Sequence, residues 1–140
     1  MSEIKEVKKF VIDREIWSRG KPNSALLIGK RTAELLADKS VYDGEGCKCC
    51  LGIYLTVCGV SDEVLSDVGE PIELSEVAQQ EALEGGAGSW LFAEEDRNSS
   101  SITVAELIEI NDDEEISETS RERSITALFL SQGIEVEFKN

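Results

Sequence analysis

Apolar and polar positions alternate in two places, at the two ends of the chain. "VKKFVID" (residues 7–13) is a short β-rich run, and "IEVEF" alternates strictly. The latter sets Ile134, Val136 and Phe138 on one face and Glu135 and Glu137 on the other, the period of a half-buried strand. Set antiparallel, the two strands would stack Phe10 and Ile12 on Val136 and Phe138 and face Lys8 and Lys9 with Glu135 and Glu137.

Between these ends the pattern is helical. From Cys50, the residues Leu51, Ile53, Tyr54, Leu55, Val57 and Cys58 are apolar nearly all round, which predicts a buried helix ended by Gly59. Ser61 opens a short acidic helix stopped by Gly69 and Pro71, and residues 74–84 predict an exposed one. Val104, Leu107 and Ile108 form an i, i+3, i+4 stripe, with Ser101 or Thr103 as the cap and Thr103 with Glu106 as a capping box. "NDDEE" is expected to break that helix. Ser117 opens the next, where Ile125, Leu128 and Phe129 recur at helical spacing and Gly133 closes it. "SALLIGKRTAELLADKS" stays ambiguous between a strand and helical turns. The fold expected is α+β: one domain over residues 1–140, several short helices around a buried cysteine-containing helix, a small antiparallel sheet of the terminal strands, and a flexible loop at 85–101.

Composition narrows the function. The chain has 140 residues, enough to bury a core without a metal or disulfide staple. No apolar run is long enough to span a bilayer, and "MSEIKEVKKF" has no apolar segment behind its basic residues. A cytoplasmic protein with reduced thiols is therefore expected. Residues 1–35 carry a net charge of +3 and residues 36–140 a net charge of −18. Such a surface repels nucleic acid and attracts basic protein surfaces. It also serves plain solubility.

The sequence contains no histidine, which removes Ser-His-Asp and Cys-His machinery and histidine metal ligation. All four cysteines lie in "GEGCKCCLGIYLTVCGV", at Cys47, Cys49, Cys50 and Cys58, a spacing unlike paired zinc knuckles. A thiolate activated at the helix start is a second reading. The third, a core wall in which Cys50, Tyr54 and Cys58 share one face, fits the residue type best. No cofactor or metal is expected. "NDDEE" lacks a calcium-loop pattern, and "EGGAGSW" lacks a phosphate-loop register. Trp17 is flanked by Arg14 and Arg19, a combination suited to binding.

The order "KFVIDREIWSRG", "CCLGIYLTVCG", "INDDEEIS…RERSITALF" and "GIEVEF" resembles a family of small uncharacterised phage and prophage proteins. The resemblance covers most of the chain outside residues 70–100. It implies a mobile-element origin and a set of marked positions: Asp13, Arg14, Trp17, Cys49, Cys50, Gly52, Cys58, Gly59, Asn111 and Asp112. It implies no activity. Cys47 departs from the pattern, and "GKRTAELLADKS" is longer than usual for the family.

The leading expectation is a non-enzymatic phage or prophage accessory protein in the host cytoplasm. It would bind a host protein with a basic surface, for instance by inhibiting a defence protein through its acidic surface. The alternative is a small-molecule or nucleotide-sequestering protein using Arg14, Trp17, Arg19, Asn111 and Asp112. A cysteine-dependent enzyme is the third.

Overall fold

In the computed structural model, the described residues are 7–17, 26, 48–66, 68, 71–92, 102–113 and 115–139. Arg19, Cys47, Ser101, Gly69 and most of the ambiguous 24–40 segment lie outside them. The order of elements is β1 (Lys9–Asp13), α1 (Cys50–Val57), α2 (Asp62–Leu65), α3 (Glu76–Glu84), α4 (Ile102–Asp112), α5 (Glu118–Ser131) and β2 (Glu135–Lys139). Short 3-10 turns at Pro71–Glu73 and Ser89–Phe92 flank α3.

The α+β class holds, but the two terminal strands run parallel, not antiparallel. Phe10 stands beside Val136 and Ile12 beside Phe138, so the expected residues do stack. Alternation has a period of two in either direction, so it fixes the buried face and leaves strand direction open. Direction is set by α5, which packs on β2 and turns the chain back along itself at Gly133. The ladder closes with Glu135 N–H donating to Lys8 C=O at 2.7 Å and Arg14 N–H to Lys139 C=O at 2.8 Å. Lys9 Nζ reaches diagonally to Glu137 at 2.9 Å, so the predicted charge pairing survives the change of direction.

Helices α1, α3 and α5 end the same way. Gly59, Gly86 and Gly133 have φ of 100°, 108° and 79°, a region that costs glycine little. In each turn the amide after the glycine bonds back five residues: Val60 to Leu55, Ala87 to Ala82, and Ile134 to Phe129. The glycine amide bonds to the carbonyl three residues before it, completing a Schellman motif. Val60, Ala87 and Ile134 are thereby delivered into the core.

Helix α1 is the centre of that core, with Cys50, Leu51, Tyr54 and Leu55 fully buried. Leu26 crosses it so closely that a Cβ on Gly52 would sit 1.7 Å from the Leu26 carbonyl oxygen. Only glycine allows that approach. The rings of Phe10, Tyr54, Trp90 and Phe129 pack at centroid distances of 5.0–6.0 Å and join sheet, α1 and α5.

Thr103 is not a cap: it lies inside α4, where its hydroxyl accepts from Gln132 Nε2 at 3.2 Å. Asn111 and Asp112 do not break α4 but form its last residues. Ser117 does cap α5, accepting from Ser120 N–H at 3.1 Å. Of the stretch 85–101, residues 85–92 form the α3 turn and a 3-10 turn with Leu91 fully buried.

Candidate functional site

Trp17, Cys49, Cys50, Asn111 and Asp112 meet at the start of α1. A helix leaves its first amides without partners, and the N-cap residue here is Cys49, which makes no side-chain cap bond. The missing oxygen comes from another helix. Asn111 Oδ1, at the end of α4, accepts from Cys50 N–H at 3.1 Å and from Trp17 Nε1 at 2.7 Å. Two donors aimed at one atom identify it as the amide oxygen. The amide nitrogen donates to Asp112 Oδ1 at 3.0 Å. Trp17 (3% exposed) and Asn111 (0%) are therefore joined inside the protein.

Arg14 lies at the rim of this region. Its Nε and Nη2 make a two-pronged bond to the Glu122 carboxylate on α5, both at 2.8 Å. The guanidinium also sits over the Phe138 ring, 5.5 Å from the centroid, and Phe138 packs on Trp17 at 5.2 Å. The Glu122 hydrogen bonds raise the Arg14 pKa. Of the five residues expected to bind a ligand, Arg14, Trp17, Asn111 and Asp112 thus belong to one neighbourhood, and Arg19 lies outside the described residues. Their known bonds join strands and helices to one another.

The cysteines line the same core. Cys49, Cys50 and Cys58 are free thiols and all buried. Burial pushes the Cys49 thiol up to about 12 and Cys50 well above its ordinary value, with the Asp112 carboxylate adding to both shifts. A helix start lowers a thiol pKa only when the thiol is solvated. Here desolvation wins, and both sulfurs stay protonated at neutral pH.

Arg121, which sequence reasoning missed, is a buried cation that ends α4. Its Nε donates to Ile110 C=O at 3.3 Å, and Nη2 donates to the carbonyls of Asp113 and Ile116. Lys48 is also buried; its Nζ donates to Thr56 Oγ1 at 2.8 Å and pairs with Asp62 at 2.9 Å. The signal for Arg121 was its position, four residues before Ile125 and eight before Phe129 on the apolar stripe of α5.

These internal uses of cations shape the surface. Among the described residues, thirteen carboxylate side chains are exposed against four cationic ones, Lys8, Lys9, Arg123 and Lys139. Across residues 62–118 the sequence has eighteen carboxylates and one cation, Arg97. The outer face of α3 presents Glu76, Glu81 and Glu84 with Glu73 just before it, and Val77 among them is 70% exposed. No protein-family model, curated protein or solved structure matches the chain.

Proposed function

We propose that the chain is a non-enzymatic accessory protein of phage or prophage origin. It binds a host protein through that protein's basic, nucleic-acid-binding surface. The carrying observation is the outer face of α3, where four carboxylates surround an exposed Val77. Glu81 and Glu84 stand in the last turn, where the helix dipole disfavours negative charge and no basic residue offsets them. Charge placed against the stability of its own helix supports a role in recognition. An apolar side chain at its centre supports a protein partner, since solubility alone needs no exposed valine. The motif order of the sequence supports the mobile-element origin.

Such a complex forms by electrostatic steering and weakens with salt. The test is affinity capture from a bacterial lysate with the native protein and with Glu76→Gln/Glu81→Gln/Glu84→Gln as parallel baits. The native bait should retain a nucleic-acid-binding protein that duplex DNA displaces. Retention should be lost with the triple variant, and also at about 1 M salt, where the screening length is about 3 Å. Identical capture by both baits, or capture indifferent to salt, removes the proposal.

A further inference from the structure

Beside Tyr54 of α1, a cleft of about 610 Å³ opens between the glycine turns that end α3 and α5. Its walls include Tyr54, Leu83, Trp90 and Ile134, with Lys8, Gln80 and Gln132 among its polar residues. We propose that this cleft binds a planar heteroaromatic anion of the purine nucleotide class.

Four observations carry it. The volume falls within the range of small-molecule sites. The Tyr54 and Trp90 rings lie nearly parallel, 6.0 Å apart with 19° between planes, and Phe129 braces both edge-on. This makes a rigid aromatic wall suited to a flat ring. Trp90 Nε1 is buried without a hydrogen-bond partner, and it is the one such side-chain nitrogen or oxygen among the described residues. Buried donors are nearly always paired in native proteins, and the described residues supply no acceptor for this N–H. Gly88 covers this edge of the indole, so a base ring nitrogen or carbonyl reaches it only with a small shift of the ring.

The fourth observation is charge. None of the thirteen described lining residues is Asp or Glu, and one is Lys8, in a chain with 29 acidic residues. The described lining is thus without the carboxylates that crowd the surface around it, so an anion meets less repulsion there. Gln80 and Gln132 add carboxamides, which can donate and accept along the edge of a base. The loop backbone is not the anion site: Gly86 and Ala87 amides close the α3 turn, and Gly88 N–H donates to Tyr54 Oη at 3.0 Å. Gly88 has a different task. A Cβ there would lie 2.2 Å from Trp90 Nε1, so its lack of a side chain makes room for the indole.

Isothermal titration calorimetry of the full chain with adenosine 5′-monophosphate and guanosine 5′-monophosphate tests the proposal. The expected result is saturable one-to-one binding of at least one of them. Gln132→Ala, an exposed change, should weaken that binding roughly tenfold, the equivalent of one lost hydrogen bond. Leu83→Trp fills the cleft and should abolish it. If neither nucleotide binds the native protein at millimolar concentration, the proposal is overturned. Undiminished binding by folded Gln132→Ala and Leu83→Trp overturns it equally. The carboxylates of α3 are not among the described lining residues, so failure here leaves the reading of the partner surface untouched.

Discussion

The two tryptophans of this chain do opposite things with the same indole. Trp17 gives its N–H to Asn111 Oδ1 at 2.7 Å and is shut away behind Phe138. Trp90 stacks on Tyr54, lines an open cleft, and leaves its buried N–H without an acceptor. The start of α1 is thus closed by a bonded polar group, while Tyr54 in its middle faces a cleft whose indole donor has no partner among the described residues. A bonded indole is an anchor, and an unbonded one at a cleft is a recognition element.

The largest effect should come from breaking the closed end. Asn111→Ala strips the acceptor from two buried donors, Trp17 Nε1–H and Cys50 N–H, and opens a small cavity. Each stranded donor costs about 1–3 kcal/mol, so a loss of roughly 2–5 kcal/mol is expected in urea unfolding. That is a large fraction of a small domain's stability. Trp17→Phe deletes a donor and leaves the Cys50 bond in place, so its loss should be smaller. Equal stability of Asn111→Ala and the native protein would mean that the node is not what starts α1.

Next in size is alkaline sensitivity at the same end. The Cys49 thiol stands at about 12 when folded, through burial, and Cys50 is shifted the same way. An unfolded thiol ionises near 8.5. Above that pH the unfolded chain loses protons that the folded chain keeps, so stability is complete below about 8.5 and declines as pH rises toward 12. The decline should be about 1.4 kcal/mol per pH unit for each such thiol. Urea midpoints at several pH values between 7 and 10 measure it, and Cys49→Ala should make the slope shallower. A flat profile would mean that these sulfurs are solvated.

How much of this was legible in the residues differs by region for physical reasons. The strand IEVEF, the helix from Cys50 and the stops at Gly59 and Gly133 are local patterns, and each is where the sequence places it. Strand direction is not local, because alternation is the same read forward or backward. Asn111 looks like a turn residue beside Asp112 and Asp113, since its partners Cys50 and Trp17 lie 61 and 94 positions away. The clue was its register: Asn111 continues the apolar stripe of Val104 and Leu107, and a polar residue on such a stripe must find a buried partner. Arg121 gives the same clue on α5. Thr103 misleads in the opposite way, since the capping-box spacing fits it while the helix begins one residue earlier. The cleft had no sequence signature because its walls come from the segment before β1, α1, α3, the 3-10 turn after α3 and the end of α5. The glycines of EGGAGSW were visible, yet their role in seating Trp90 depends on the fold.

The smallest stability effect should be the most informative. Trp90→Phe keeps an aromatic ring against Tyr54 and Phe129 but removes the unpartnered N–H. The lost ring area destabilises, and removal of a buried unsatisfied donor offsets that by about 1–3 kcal/mol. The net change in urea unfolding should stay within about 1 kcal/mol of zero. Trp17→Phe has no such compensation, because its N–H is already bonded, and it should lose more. With ligand present the order reverses, since Trp90→Phe removes the donor that meets the base while Trp17→Phe leaves the cleft intact. If instead the two variants unfold alike and bind alike, both indoles are simple core anchors. The contrast between the closed start of α1 and the open cleft at Tyr54 would then have no energetic content.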